Sequence, residues 1–187
     1  MPSRTHQTAV VIIPPESVWP PIQAIRRVHD RQFRRWMPHI TLIYPFRERE
    51  TFPQLAGEFA RVLEDMPPFS FHLNRFRYFS HGRGRFTLWL APEPAQPIIE
   101  LQARLQAVVP DCADVRRHSG GFTPHLSVGQ VRGKAQLHRL LSELSGRWAP
   151  LVVPVEAIYL IWRNPPPDDV FRGGETVRLG MPLPEQD

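Results

Sequence analysis

The sequence contains very little cysteine or lysine and no long apolar run. Cys112 is the only cysteine among 187 residues, which excludes an intramolecular disulfide and a cysteine-based metal cluster. No apolar stretch approaches the roughly 20 residues of a membrane-spanning helix, and the first residues lack the pattern of a secretion signal. We therefore expect a cytoplasmic globular protein with no membrane partner, in which Cys112 is a buried or incidental thiol.

Arginine carries almost all of the positive charge. The formal net charge is +5, and Lys134 is the only lysine. Because the guanidinium group presents a rigid fork of donors that fits phosphate, this charge favours an anionic partner such as a nucleotide or RNA. A general preference for arginine on a solvated surface explains most of these residues equally well. The 22 prolines lie at the boundaries of apolar segments and therefore mark turns.

Two seven-residue segments share one pattern of residue types. Residues 36–42 read Trp-Met-Pro-His-Ile-Thr-Leu, and residues 122–128 read Phe-Thr-Pro-His-Leu-Ser-Val. The composition alone would produce on the order of 0.01 copies of Pro-His-apolar-hydroxyl-apolar, so the pair indicates a duplicated structural unit. One copy alone would be read as a histidine at a half-buried strand position. Because a matched second copy is present, we favour a functional role for the two histidines over a purely structural one.

The alternation after each histidine predicts a β-strand. His39 and Thr41 would share one face of the first strand, and His125 and Ser127 one face of the second, with the intervening apolar residues pointing into a core. Around these strands the order strand, helix, histidine strand, helix, strand occurs twice, over residues 8–79 and 86–162. A final strand is predicted near residues 176–179.

This repeated order predicts two related halves facing each other about a pseudo-two-fold axis, with both histidine strands at a shared cleft. No linker separates the halves, so we expect residues 1–187 to form one domain of two intertwined lobes. The first helix should begin at Pro20 or Pro21, with Ile22, Ile25, Val28 and Phe33 on its apolar face and Arg26 elsewhere. Residues 151–162 read as one long strand.

A pair of histidines is suited to moving protons at neutral pH, since the ordinary pKa of about 6.5 lets one act as base and the other as acid. The hydroxyls of Thr41 and Ser127 can donate hydrogen bonds to anionic oxygens between the histidines. This chemistry needs no metal or other cofactor. A zinc site would need a third ligand, and the usual ligand spacings are absent.

The paired motifs resemble those of the two-histidine (2H) phosphoesterase superfamily, which includes the RNA 2′,3′-cyclic phosphodiesterases once called 2′-5′ RNA ligases. The signature of that family, His-apolar-Thr/Ser-apolar, reads here His39-Ile40-Thr41-Leu42 and His125-Leu126-Ser127-Val128. The duplicated element order also matches its bilobal α+β fold, in which antiparallel sheets form a central cleft with helices outside. Ser127 departs from the commoner threonine: it keeps the hydroxyl but loses the methyl that stiffens the rotamer.

The resemblance implies metal-independent hydrolysis of a 2′,3′-cyclic phosphate at an RNA end or on a nucleotide. His39 and His125 would be the general acid and base, in an order that the sequence leaves open, and Thr41 and Ser127 would hold phosphate oxygens. Reverse 2′-5′ ligation, the product isomer and the oligomeric state also stay open, although a monomer is the simplest expectation. The alternative is a non-catalytic module that binds an AMP-like nucleotide or RNA in the same cleft.

Further substrate contacts are predicted near the ends of the two strands. Regular alternation lets at most one of Tyr44 and Phe46 line the cleft, where a base could stack, and core packing is the alternative for both. Regular alternation also predicts that Gly129, and not Gln130, lies on the same strand face as Ser127. Arg132 is a candidate phosphate anchor beyond the strand end, and a solvent-exposed arginine is the equal alternative. The matched aromatics Trp36 and Phe122 are expected to brace their loops.

Overall fold

The computed structural model describes residues 3–117 and 120–180. That part of the chain forms four α-helices, none of which is long and apolar enough to cross a membrane. In chain order the elements are β1 Arg4–Thr5, β2 Thr8–Ile12, α1 Trp19–His29, β3 Ile40–Ile43, β4 Phe46–Arg47, α2 Phe52–Leu63, β5 Phe69–Ser80, β6 Arg85–Glu93, α3 Gln96–Val108, β7 Leu126–Arg132, α4 Lys134–Arg147, β8 Leu151–Val155, β9 Ala157–Trp162 and β10 Arg172–Arg178.

Two four-stranded antiparallel sheets make up most of the fold. Their strand orders are β10-β9-β2-β3 and β7-β6-β5-β8, and β1 and β4 form a separate two-stranded sheet. The histidine strands β3 and β7 are edge strands of their sheets and contact each other. Read outward from this contact, the first three strands of the two sheets, β3-β2-β9 and β7-β6-β5, occupy equivalent places in the two repeats. The structure thus confirms the predicted α+β fold of two pseudo-symmetric halves.

The two halves exchange strands. β5 is the last strand of the first repeat but pairs with β6 of the second. β9 is the last strand of the second repeat but pairs with β2 of the first. The prediction of one long strand over residues 151–162 is wrong, because the chain changes sheets at Glu156: β8 pairs with β5, and β9 pairs with β2. That the whole chain is one domain stays a prediction, and this exchange favours it.

The helices are exchanged in the same way. α1 lies between two strands of the first half in the sequence but packs on β7, and α3 of the second half packs on β3. α2 packs on β10 and α3, while α4 packs on β5 and β7. Each histidine strand is therefore supported by a helix from the opposite half.

The burial of α1 differs from the prediction. The helix begins at Trp19 and ends at His29, so Phe33 lies beyond it. Its buried residues are Ile22, Ile25 and Arg26, whereas Val28 is 73% exposed. Assigning Val28 to the apolar face and Arg26 to the polar face was wrong, because Arg26 is buried together with the carboxylate of Asp30, which neutralises it.

A β-bulge interrupts β3 one residue after its hydroxyl. Thr41 pairs with Val11 and Ile43 pairs with Val10, so Leu42 is an extra residue in the strand. A bulge leaves a backbone group without a ladder partner. Buried Gln102 on α3 donates from Nε2 to the Leu42 carbonyl at 3.4 Å, which satisfies part of that requirement.

β7 carries the matching bulge. Ser127 pairs with Trp89 and Gly129 pairs with Leu88, so Val128 is the extra residue. Paired residues in a sheet lie on the same face, and a one-residue insertion inverts the alternation beyond it. Beyond each bulge, residues that regular alternation would place on the opposite face therefore lie on the face that carries the hydroxyl.

Gly129 lets α1 approach β7 closely, and this contact can be tested. A Cβ at Gly129 would lie 2.6 Å from the His29 Cβ and 3.0 Å from the His29 carbonyl oxygen. We expect Gly129→Ala to lower the free energy of unfolding by about 1–3 kcal/mol, because backbone must move to relieve the overlap. Urea denaturation measures this. Gly146→Ala is the control, since a Cβ there meets nothing within 4 Å; an equal loss in both variants would contradict the prediction.

Candidate functional site

Both histidine rings are held by the same local hydrogen bond. Nδ1 of His39 lies 2.8 Å from the Met37 carbonyl oxygen, and Nδ1 of His125 lies 2.8 Å from the Thr123 carbonyl oxygen. A carbonyl oxygen can only accept, so Nδ1 must carry the proton in each ring. Proton exchange with a ligand is thereby assigned to Nε2 in both histidines.

A cavity of about 600 Å³ lies where the two histidine strands meet. Thr41 and Tyr44 line it from the first strand, and His125 and Ser127 line it from the second. The hydroxyl of each motif thus faces the same space. His39 is half-buried and is not among the residues that line this cavity, but it lies close enough to His125 that a positive charge on His125 lowers the pKa of His39. The cavity thus brings together Thr41, His125 and Ser127, and His39 lies near His125.

The aromatic surroundings of the two histidines differ. Trp36 stacks on His39 with ring centroids 4.4 Å apart, and Phe171 stacks on the same indole at 3.8 Å. The prediction that Trp36 braces its loop is confirmed. His125 instead makes edge contacts with Phe79 at 4.9 Å and with Trp89 at 5.8 Å. The motifs therefore share their hydrogen bond but not their packing.

These surroundings change the proton affinity of His39. Burial lowers its pKa to about 4, because a desolvated imidazolium is unfavourable. The hydrogen bond to Met37 opposes this shift, while the positive charges of Arg26 and His125 add to it. His39 is consequently neutral at pH 7, with an unprotonated Nε2.

A buried ion pair connects the two histidine strands. Arg26 donates from Nε to Asp30 Oδ2 at 2.9 Å, and both side chains are at most 3% exposed. Arg26 also donates from Nη2 to the Trp36 carbonyl at 2.8 Å, just before the first motif. Gln130 of β7 donates from Nε2 to Asp30 Oδ1 at 3.0 Å and accepts a hydrogen bond from the Arg31 backbone at 2.9 Å.

Ion pairs also fix the loop that follows α3. Arg4 on β1 bonds Asp114 at 2.6 Å and the Asp111 carbonyl at 3.0 Å, and Arg47 on β4 bonds Asp111 at 2.5 Å. Val115 of this loop lines the cavity, as do residues 120–123. The small β1–β4 sheet therefore positions one wall of the candidate site. Sequence reasoning missed both strands, since two-residue segments carry no periodicity.

Of the two aromatic residues predicted to contact substrate, one lines the cavity and the other lies in the core. Tyr44 lines the cavity because the Leu42 bulge turns it toward Thr41, and its hydroxyl donates to the His6 carbonyl at 3.2 Å. Phe46 is 0% exposed and packs near α2 in the core, so its assignment as a substrate contact is wrong.

The predictions for the end of the second strand are partly corrected. Gln130 lies on the face of Ser127 through the Val128 bulge, contrary to the regular alternation that favoured Gly129. Arg132 is the last residue of β7, not beyond it, and lines a neighbouring cavity. Phe122 lines the histidine cavity itself.

Cys112 is buried, and the part of the chain that the structure describes presents no cluster of metal-ligating side chains. Cys112 is 1% exposed, and burial raises the pKa of its thiol, which makes it a poor nucleophile. Over residues 3–117 and 120–180, the structure contains no group of three or more His, Cys, Asp or Glu side chains arranged to hold a metal ion.

The fold and the site have the features that the motif resemblance predicts: two pseudo-symmetric sheets whose histidine strands meet, each with a hydroxyl two residues after the histidine. A sequence profile of the 2′-5′ RNA ligase superfamily matches residues 14–166. The chain therefore belongs to that superfamily, which confirms the resemblance seen in its motifs.

Comparisons with individual proteins agree with this assignment. "Putative phosphoesterase GK0864" of Geobacillus kaustophilus is 24% identical over 163 residues, covering 82% of this chain and 86% of the relative. Among solved structures, Escherichia coli LigT complexed with 3′-AMP has a TM-score of 0.61 at 17% identity, covering 96% of this chain and all of LigT. TT0787 of Thermus thermophilus has a TM-score of 0.57 at 22% identity, covering 93% of this chain and 98% of TT0787. These likenesses show a shared fold.

The depressed pKa of His39 predicts acid destabilisation in a defined range. As pH falls from about 6.5 to about 4, the unfolded chain takes up a proton that the folded His39 does not, so the free energy of unfolding decreases, by on the order of 3 kcal/mol at most. Hydrogen bonds from Arg47 lower the pKa of Asp111, and hydrogen bonds from Asn164 and Arg172 lower the pKa of Asp168. The contribution of these two carboxylates to the free energy of unfolding is therefore lost only as pH falls through 3.8 and below.

Denaturation of the wild type and His39→Gln between pH 7 and 4 measures this contribution. The variant should lose less stability over that interval, and His138→Gln, on the exposed side of α4, should behave like the wild type. Parallel curves for the wild type and His39→Gln would contradict the assignment.

The Arg26–Asp30 pair predicts a large and specific loss of stability. Asp30→Asn keeps the size of the side chain but leaves the Arg26 charge buried without a carboxylate, so we expect a loss of about 3–5 kcal/mol. Glu143→Gln is the matched control. It removes the exposed i,i+4 pair between Glu143 and Arg147, where we expect less than about 0.5 kcal/mol. Similar losses in both variants would show that burial of the first pair is unimportant.

Proposed function

We propose that this protein hydrolyses a 2′,3′-cyclic phosphodiester at the end of an RNA strand or on a nucleotide. The observation that carries the proposal is the duplicated arrangement of two histidines fixed through Nδ1, each with a hydroxyl two residues later; Thr41, His125 and Ser127 line one cavity, and His39 lies near His125. An anion between the strands would meet hydroxyl donors from both sides. LigT has been crystallised with 3′-AMP and with phosphate, which are ligands of the same chemistry.

The asymmetry between the histidines assigns their roles in the proposal. His39 is neutral at pH 7 because burial depresses its pKa, so its Nε2 can accept a proton from the attacking water. His125 lines the cavity and would protonate the ribose oxygen as the P–O bond breaks. The proton taken from water and the proton given to the leaving oxygen balance; before the next turnover His39 must release its proton and His125 must take one up, both by exchange with solvent.

The remaining cavity residues would hold the substrate. The Thr41 and Ser127 hydroxyls would donate to the non-bridging phosphate oxygens, whose negative charge strengthens such bonds. The ring of Tyr44 is immobilised by its hydrogen bond to His6 and by an edge contact with Trp36 at 5.4 Å. A nucleobase could stack on this ring, which is worth about 1–3 kcal/mol in single-stranded nucleic acid complexes. No step in this mechanism uses a metal ion.

Substitution of either histidine tests the proposal. His39→Ala and His125→Ala should each lower kcat for 2′,3′-cyclic mononucleotides by about 10²- to 10⁴-fold, because each removes one proton transfer. Hydrolysis is measured by chromatography of the products with and without EDTA, and thermal unfolding confirms that the variants fold. His138→Ala is the control, since His138 is exposed on α4. Near-normal turnover by either variant would remove that histidine from the mechanism.

The same assay identifies the alternative function. LigT has also been crystallised with ATP and with NADP⁺, so a nucleotide-binding module is the second candidate. Binding of a nucleotide by the wild type with no turnover of any cyclic phosphate would favour the module over the enzyme. Loss of turnover in EDTA would contradict the metal-free mechanism.

A further inference from the structure

We propose that a second, basic cavity beside the two-histidine cleft binds the sugar-phosphate backbone of a single-stranded RNA whose 3′ end occupies the cleft. The proposal rests on the proposed function and narrows its substrate class from any cyclic nucleotide to an oligonucleotide. Here the term "basic cavity" means the space lined by Arg31, Arg85 and Arg132, together with His81 and Gln130.

The basic cavity is large and positively charged. Its volume is about 600 Å³, equal to that of the histidine cavity, and its lining within the described residues includes no carboxylate. Arg31, Arg85 and Arg132 are all exposed, and none of them forms an ion pair within the described part of the chain. The buried residues Arg26 and Arg47, in contrast, are each neutralised by a carboxylate. The three cavity arginines keep their guanidinium groups available for phosphate.

Two of these arginines are placed against each other. Arg85 of β6 and Arg132 of β7 are direct cross-strand partners, so their positive charges lie side by side on one face of the sheet. Like charges at directly opposed positions destabilise a sheet. A bound phosphate lying between them would remove this repulsion and form charge-assisted hydrogen bonds with both groups.

The two cavities share a wall. His81 and Thr87 line both of them, and His81 Nε2 lies 2.8 Å from Thr87 Oγ1. The Val128 bulge also brings Gln130 onto the face of Ser127, so the floor continues along β7 from one cavity to the other. Within an RNA strand, a 2′,3′-cyclic phosphate can occur only at the 3′ end, so the upstream phosphates must leave the histidine cavity. Because the basic cavity adjoins it, these phosphates would extend into the basic cavity.

The test compares a mononucleotide with an oligonucleotide. If upstream phosphates bind the basic cavity, kcat/KM for a short RNA ending in a 2′,3′-cyclic phosphate should exceed that for the cyclic mononucleotide. The double variant Arg31→Gln/Arg85→Gln should lower the ratio of these two values by on the order of tenfold or more, since each charged hydrogen bond is strong. Arg61→Gln, an exposed arginine on α2, is the control and should leave the ratio unchanged.

Binding provides a readout independent of catalysis. Fluorescence anisotropy with a labelled oligoribonucleotide carrying a 3′-phosphate should show weaker binding to the double variant. The magnitude of the slope of log association constant against log salt concentration should also decrease, by roughly 0.7 for each phosphate group that is no longer neutralised. Arg85→Gln removes a like-charge pair and should not lower the melting temperature, which separates weaker RNA binding from unfolding.

The outcomes distinguish this inference from the proposed function. Equal efficiency on both substrates, unaffected by the arginine variants, would overturn the RNA-binding cavity and leave the phosphodiesterase intact. Absence of hydrolysis together with arginine-dependent binding would overturn the phosphodiesterase but support the cavity.

Discussion

The buried ion pair between Arg26 and Asp30 fixes the two histidine strands relative to each other. Its atoms bond to the Trp36 carbonyl, before the first motif, and to Gln130, after the second. Taking two charges out of water costs more than their attraction returns unless the remaining donors and acceptors are also satisfied. Arg26 donates to three different groups and Asp30 accepts from three, so the requirement is met only when both strands are in place. The relative position of the motifs is therefore coupled to burial of the pair.

Much of this arrangement could be predicted from the sequence, because hydrophobic alternation and the repeated motif are local signals. The antiparallel sheets and the convergence of His39 with His125 follow from them. The bulges at Leu42 and Val128 carry no such signal, since a one-residue insertion depends on the partner strand and on donors from other elements. Regular alternation therefore assigns Gln130 to the wrong face. The burial of Arg26 escapes prediction for a related reason, because its partner Trp36 lies beyond the helix and its partner Asp30 is in turn bonded by Gln130 on β7.

The two motifs show how far a duplication can diverge in chemistry while conserving geometry. The Nδ1 hydrogen bond has the same length in both. The rings differ in what surrounds them: His39 stacks on an indole, whereas His125 meets two aromatic rings edge-on and lines the cavity. Desolvation is the largest effect on the His39 pKa, and it favours the neutral ring. A pseudo-symmetric site can thus hold one histidine ready to accept a proton without any change in its hydrogen bond to the backbone.

Net charge alone says little about what this protein binds, because its arginines fall into two groups. Arg26, Arg47 and Arg163 lie against carboxylates, and their charges are neutralised within the fold. Arg31, Arg85 and Arg132 line a cavity whose described lining contains no acidic residue. Potential from uncompensated charges adds, whereas that from ion pairs largely cancels within a few ångströms. The anionic partner that the composition suggests is therefore expected at the concave surface where these three arginines converge, next to the histidines that would act on its phosphate.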